Sequence, residues 1–141
     1  ACLERLDEQY RQRWEERAVK ASSADEKVLA FFDMAIEAEP QREFRGSPFL
    51  NAATEYPRPD TESEQRIVQT CLNNRTWMHD TLTELLSNKN GYDSSNQADE
   101  LLIFLDGGMS GARLLRDVAP LRKARDLAES QLGAPPADYS I

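Results

Sequence analysis

The segment 62–89 constrains the fold more than any other part of this sequence, because it contains neither glycine nor proline. Its apolar residues keep helical spacing over about seven turns. A helix of this length needs other elements to cover its apolar side, and no stretch of the chain alternates in the manner of a β-strand. The sequence therefore predicts an all-α fold. The residues that define the apolar side are Ile67, Cys71, Met78, Leu82, Leu85 and Leu86.

Five further helices are predicted around the long one. Apolar residues recur every three or four positions in each stretch, and Ser, Asp, Gly or Pro residues mark where the helices begin or end. Pro40 is expected to stop the second helix before it, and Pro48 to stand in the first turn of a short third helix. We therefore expect an orthogonal bundle of about six helices in a domain of residues 1–133, followed by a mobile tail at 134–141. The predicted helices span residues 3–21, 25–38, 48–55, 62–89, 98–115 and 118–132.

The predicted helix over 98–115 differs from the others, because apolar or small residues occupy nearly its whole circumference. Such a helix is expected to be buried on two sides and to need two partners. Its three glycines, Gly107, Gly108 and Gly111, each cost about 0.8–1 kcal/mol relative to alanine. Close approach of a neighbouring helix would compensate for this cost. A kink, or a gap beneath a bound ligand, is the alternative.

The composition predicts a single domain that does not bind nucleic acid by itself. Apolar residues make up 40% of the 141 residues, and the formal net charge of −8 opposes contact with phosphates. No apolar run approaches the roughly 20 residues that cross a bilayer, and an export signal is lacking. These features predict a cytoplasmic protein without a membrane partner. Because the chain opens inside a predicted helix and lacks an initiator Met, we expect it to be part of a longer protein.

Two stretches of the chain resemble one protein family. Residues 44–57 read FRGSPFLNAATEYP, which resembles the RGCPFxNAAxE motif of TetR-family transcriptional regulators, with Ser47 in place of the commoner Cys. Residues 105–114 read LDGGMSGARL, which is similar to the penultimate helix of that family. The order of the predicted helices also resembles the family's C-terminal regulatory domain. The family's N-terminal helix-turn-helix has no counterpart in this chain.

The resemblance implies the effector-binding and dimerisation domain of a homodimeric repressor. Effector binding would relieve DNA binding, and DNA would be a partner only through the N-terminal helix-turn-helix domain. Two subunits would pair through a four-helix bundle of their last two helices, where small residues allow close approach. The residues expected at this interface are Gly108, Gly111, Ala112, Leu115, Leu121, Ala124, Arg125, Ala128 and Leu132.

The resemblance also implies an effector cavity among the second to fifth helices. Such cavities are lined mainly by apolar and aromatic side chains with few polar groups, so we expect a small apolar or aromatic molecule. For each candidate residue, ordinary packing in the core is the alternative. The candidates are Phe32, Phe49, Leu50, Trp77, Met78, Leu82, Leu102, Leu105, Asp106 and Met109.

The polar residues indicate neither a metal site nor a familiar enzyme. Asp106 lies in an apolar helix and needs a partner, which Arg113 or Arg75 can supply; contact with an effector is the alternative. His79 is the single histidine, and no second ligand stands at metal-binding spacing, so we predict no metal and no cofactor. Two other classes remain as alternatives. One is a helical interaction module without a small-molecule ligand, and the other is a small enzyme that uses Asp106, His79 or Glu55 as acid or base.

Overall fold

Six helices make up the fold, as the sequence predicts. A computed structural model describes residues 2–134, and its regular structure in that range is entirely helical. The predicted tail falls outside these residues, apart from Ala134. None of the helices in the described range combines the length and the apolar character needed to cross a bilayer. The helices are α1 (Leu3–Lys20), α2 (Ala24–Gln41), α3 (Pro48–Glu55), α4 (Glu62–Asn90), α5 (Ser95–Leu115) and α6 (Ala119–Gly133).

Helix α2 lies at the centre of the bundle and packs against α1, α4, α5 and α6. It begins at Ser23, whose hydroxyl accepts a hydrogen bond from the Glu26 N–H at 3.2 Å. Val28, Phe31 and Phe32 are almost completely buried on its inner side. The apolar stripe predicted for this helix therefore forms the middle of the core.

The prediction that α2 ends before Pro40 is wrong, since the helix continues to Gln41 with Pro40 in its last turn. A proline at that position removes a single N–H donor. The Arg42 N–H, two residues later, bonds to the carbonyl oxygens of Ala38 and Glu39, each at 3.1 Å, and closes the helix. The cost of the proline is thus limited to the end of the helix.

Helix α4 is the longest element, and both of its ends follow local sequence signals. The Thr61 hydroxyl accepts the Glu64 N–H at 3.1 Å, and the Glu64 carboxylate accepts the Thr61 N–H at 2.9 Å. The same Thr61 N–H holds the pKa of Glu64 below its usual value. At the other end, Gly91 adopts the left-handed conformation with φ of 81°.

Helices α5 and α6 approach each other closely along a strip of small residues. A methyl group placed on Gly108 would lie 2.8 Å from Cβ of Ala124, and one on Gly111 would lie 2.8 Å from Cβ of Pro120. Real Cβ atoms do not approach this closely, so the contact requires glycine at both positions. A methyl group on Gly107, by contrast, would meet open space.

The prediction that α5 is buried on two sides and has two partners is confirmed, but the helix also has an exposed apolar side that was not predicted. One side packs against α4 and another against α6, but a third side is open to solvent. Ile103 is 64% exposed and Leu114 is 81% exposed on that side. An apolar circumference shows that a helix has several apolar sides; it does not show which of them the subunit itself covers.

Candidate functional site

Aromatic side chains from α1, α2, α3 and α4 meet in one group, which we call the aromatic cluster: Tyr10, Trp14, Phe31, Phe49 and Trp77. Trp14 stacks on Phe31 with ring centroids 5.1 Å apart, and Trp77 meets these two rings edge-on at 5.9 and 5.8 Å. Tyr10 contacts Phe49 at 6.1 Å and Trp77 at 6.0 Å. Such stacked and edge-to-face pairs hold the rings in defined orientations.

Polar groups of α1 lie at the edge of the aromatic cluster. The Arg11 guanidinium lies 5.3 Å from the centroid of the Trp77 ring. It is held there by the Asp7 carboxylate, which accepts from Arg11 at 2.9 and 3.2 Å and from the Asn74 amide at 2.9 Å. Burial raises the pKa of the Tyr10 phenol above its ordinary value, so this group stays protonated at neutral pH. The Arg11 guanidinium cation and the uncharged Tyr10 hydroxyl therefore both lie next to the aromatic rings.

Helix α3 covers one side of the aromatic cluster and is the least anchored helix of the fold. It packs mainly against α4, and Phe49 is its single buried residue. Gly46, with φ of 81°, precedes it, and Pro57 follows it. A short helix fixed by one buried side chain can shift at low cost to the core.

The structure brings only part of the predicted ligand-binding set together. Phe49 and Trp77 belong to the aromatic cluster, whereas Leu50 is 50% exposed on the outside of α3. Met109 packs at the margin of the core. Two recesses open on the surface of the domain, one between α1 and α2 and one beside the loop 42–47, and neither is lined by any of the ten residues. The remaining apolar candidates are buried in the hydrophobic core, as ordinary packing would place them: Phe32, Met78, Leu82, Leu102 and Leu105.

The polar candidates make separate polar contacts between α4 and α5. Of the two arginines considered for Asp106, Arg75 forms the pair, with two bonds of 2.7 and 2.8 Å. His79 Nε2 lies 3.0 Å from a carboxylate oxygen of Asp99. His79 and Asp106 thus have different partners and do not form an acid–base pair with each other. Within residues 2–134, no three potential metal ligands are grouped together.

Most of the residues predicted at a dimer interface lie inside the subunit. The structure buries them where α5, α6 and α2 of the same subunit pack. Arg125 is also engaged internally, because its Nε donates to Asp33 at 2.6 Å. Leu115 is the exception, at 65% exposure. The small residues correctly indicated close helix approach, but their spacing cannot show whether the neighbouring helix belongs to the same subunit. The buried residues are Gly108, Ala112, Leu121, Ala124, Ala128 and Leu132, with Gly111 half-buried against Pro120.

A different apolar surface is exposed on α5 and α6, and we call it the outer face. Its α5 residues recur every three or four positions and therefore share one side of the helix. On α6, Leu127 is 46% exposed, and Gln131 one turn later hydrogen-bonds to Gln97 and Glu100 of α5, which places Leu127 beside this stripe. This surface was not predictable from the sequence, because the same helix carries apolar residues all round. The outer face consists of Ile103, Gly107, Ser110, Leu114 and Leu127.

A recess of about 420 Å³ lies where the loop 42–47 meets the C-terminal end of α5. The two stretches that carry the family resemblance meet here, since Nη1 of Arg113 donates to the Asn51 side-chain oxygen at 2.6 Å. The Asn51 amide in turn donates to the Arg45 carbonyl at 2.7 Å. We call this the arginine recess, and it is lined by Glu43, Phe44, Arg45, Asn51, Arg113 and Arg116.

A solved structure is similar to this arrangement over nearly its whole length. The crystal structure of a TetR-family transcriptional regulator from Streptomyces coelicolor matches with a TM-score of 0.73 and 27% sequence identity. The match covers 93% of this chain and 61% of that protein, so this chain spans less than two thirds of that protein's length. No protein-family model matches the sequence, and no curated protein sequence matches it either.

Proposed function

We propose, from the confirmed resemblance to TetR-family transcriptional regulators, that this chain is the effector-binding and dimerisation domain of such a regulator. The observation that carries the proposal is the structural match over 93% of the chain. A DNA-binding domain outside these 141 residues would read the operator, and effector bound here would lower its affinity for DNA. The net charge of −8 suits a domain that does not touch phosphates itself. A cytoplasmic location fits this role and stays a prediction.

The outer face supports a homodimer. A stripe that includes Ile103 and Leu114 leaves large apolar side chains in water, and a second copy would cover them. Gly107 and Ser110 lie between them and are small enough for two helices to approach closely. Pairing about a two-fold axis would join α5 and α6 of both subunits into a four-helix bundle.

The position of α3 supports effector binding at the aromatic cluster. Movement of α3 would withdraw Phe49 from Tyr10 and open a site walled by Tyr10 and Trp77. The hydroxyl of Tyr10 and the guanidinium of Arg11 would supply the few polar contacts that fix the orientation of a ligand. This arrangement favours a flat, mainly apolar molecule with one polar or anionic group.

Regulation requires that the effector bind one arrangement of the dimer better than another. A difference of about 1–3 kcal/mol in binding free energy changes DNA affinity about 5- to 150-fold. Such a difference would arise if effector binding changed the position of α3, the least anchored helix. The movement of α3 would then have to alter the pairing of the subunits through α5 and α6.

Tryptophan fluorescence tests effector binding directly, because both tryptophans of the chain, Trp14 and Trp77, belong to the aromatic cluster. Compounds that raise the melting temperature of the domain are titrated while emission is recorded. A ligand at the cluster is expected to change the emission saturably. The same ligand is then added to the full-length protein bound to its operator.

We expect operator affinity to fall about 5- to 150-fold at saturating ligand. Unchanged operator affinity with every compound that saturates the fluorescence change would contradict regulation by an effector. Failure of a broad compound library to bind would instead favour the helical interaction module.

A further inference from the structure

The arginine recess brings together guanidinium groups in a chain that is otherwise acidic. Arg45, Arg113 and Arg116 all line it, whereas the whole chain has 17 basic residues against 25 acidic ones. Within the described residues, Arg113 and Arg116 form no ion pair with a carboxylate. Arg45 pairs with Glu43 at 3.2 Å, but both side chains are more than 70% exposed, so water screens this pair.

Acidic groups near the recess are few and partly engaged. Glu43 is the one carboxylate among the lining residues. Asp117 follows Arg116 in sequence, but its carboxylate accepts the Ala119 N–H at 2.9 Å at the start of α6. Glu39, which is buried beneath the loop, accepts from Arg42 at 3.2 Å. The balance of charge at the recess is therefore positive.

The backbone on both sides of the recess is strained. Glu43, Phe44 and Arg116 have φ of 58°, 58° and 53°, and no other non-glycine residue in the range 2–134 has a positive φ. Side chains make this conformation costly, by about 1 kcal/mol or more per residue. All three residues line the arginine recess. Strain of this kind gathers where the chain holds side chains ready for a ligand.

The Arg113 side chain is exposed to solvent but already makes contacts within the domain. Its Cδ passes close to Gly46, where a methyl group would lie 3.2 Å away, and its Nη1 is bound to Asn51. A guanidinium has five N–H donors, so the bond to Asn51 leaves others free for an oxyanion. Preorganisation lowers the entropy lost on binding.

We propose that the arginine recess binds the anionic group of a small molecule, either a phosphate or a carboxylate, through Arg113 and Arg116. Guanidinium groups match the geometry of both oxyanions and bind them with two parallel hydrogen bonds. The bound anion would link the loop before α3 to the end of α5. The proposal does not depend on the regulatory function, because the domain by itself suffices for the test.

The experiment titrates ¹⁵N-labelled domain with inorganic phosphate, pyrophosphate and citrate at low ionic strength and constant pH. We expect saturable shifts of the amide signals of Gly46, Asn51 and Arg116, and competition by added salt. Stronger binding of pyrophosphate than of citrate would identify a phosphate site, and the reverse order a carboxylate site. Absence of saturable shifts with all three anions would overturn the proposal.

Two variants separate a binding site from structural roles of these residues. Arg113→Gln is expected to weaken anion binding about tenfold or more, the effect of one lost charge-assisted hydrogen-bonding group. Arg116→Gly should weaken binding equally while leaving the melting temperature the same or higher, because glycine relieves the strain at φ of 53°. Arg116→Gly therefore keeps the test decisive even if Arg113→Gln fails to fold.

Arg66→Gln is the matched control, since Arg66 is exposed on α4 and has no part in the recess. It removes the same charge and should leave anion affinity within about twofold, as expected for a distant surface charge. Equal weakening by Arg66→Gln and Arg116→Gly would mean non-specific attraction and would overturn the proposal.

Discussion

Gly107 and Gly108 are neighbours in sequence but have opposite surroundings. Gly108 is buried against Ala124 and Leu121 of α6, whereas Gly107 faces solvent on the outer face. Glycine lowers the stability of a helix at both positions by about 1 kcal/mol relative to alanine. Only at Gly108 does a packing contact compensate for that loss.

Substitution by alanine is therefore expected to have opposite effects on stability at Gly107 and Gly108. Gly107→Ala should raise the free energy of unfolding by about 0.5–1 kcal/mol, because the helix gains and nothing is displaced. Gly108→Ala should lower it by about 1 kcal/mol or more, because overpacking against α6 outweighs the gain in helix propensity. Urea unfolding measures both in an Ile103→Glu background, which is expected to remove subunit pairing. Similar effects of the two substitutions would contradict the packing described for Gly108.

For individual residues, the sequence predicted what kind of contact each would make but not which helix or side chain would be its partner. The glycines of α5 indicated close approach of another helix, and the structure shows it for Gly108 and Gly111. The partner is α6 of the same chain, where a second subunit was expected. Asp106 is similar, since its need for a cation was evident from the sequence and the choice of Arg75 over Arg113 was not. A choice between two partners depends on how helices are rotated, which spacing along one helix does not determine.

Among the helices, α4 owes its N-terminal boundary to a short polar signal. Thr61 and Glu64 satisfy each other's backbone N–H groups and stop the first turn from fraying. The helix runs for 29 residues from this point and contacts α1, α2, α3 and α5. Loss of the cap therefore weakens the N-terminal end of α4.

Thr61→Ala should lower the free energy of unfolding by about 0.5–2 kcal/mol, the usual cost of losing an N-cap. Ser63→Ala provides the control, because Ser63 is exposed in the same turn and has no capping role. Thermal or urea unfolding of both variants measures the difference. A loss of stability in Ser63→Ala as large as that in Thr61→Ala would show that the cap contributes little.

Helix positions were largely predictable from the sequence, since the signals for them are local. The six predicted segments correspond to the six helices, and Gly91 has the left-handed conformation expected after a helix. Pro40 was misleading, because a proline in the last turn costs much less than one in the middle of a helix. The exposed side of α5 was not distinguishable from the two buried sides either, since all three are apolar and only packing decides which are covered.

For the molecule as a whole, the outer face predicts the assembly state. A glutamate at position 103 or 114 would place a charge in the proposed interface, and the two-fold axis would put a second, like charge nearby. Ile103→Glu and Leu114→Glu should therefore shift the mass in solution from twice 16.0 kDa to 16.0 kDa. Light scattering after size-exclusion chromatography measures the mass.

Val19→Glu is the matched control, because Val19 is 85% exposed on α1, away from the outer face. It introduces the same charge and should leave the dimer intact. A monomeric wild-type domain at concentrations of tens of micromolar, or a monomeric Val19→Glu variant, would contradict pairing through the outer face.

The aromatic cluster was the least predictable part of the candidate site. Phe49 and Trp77 were expected near an effector, but the contribution of Tyr10 and Trp14 from α1 was not foreseen. Their spacing on α1 indicates only an apolar stripe. The contact forms because α1 packs against both α2 and α4, and that arrangement arises from the whole bundle.

The packing of α2 against α6 has a consequence for how the chain is made. The ion pair between Asp33 and Arg125 joins residues that are 92 positions apart. Synthesis proceeds from the N-terminus, so α2 leaves the ribosome long before the helix that covers it. The side of α2 that packs against α6 must therefore wait for the last helix to emerge, whereas Phe31 can pack earlier against Trp14 of α1. During that interval the apolar surface of α2 that α6 later covers stays exposed on the nascent chain, where it is open to association with other unfolded chains.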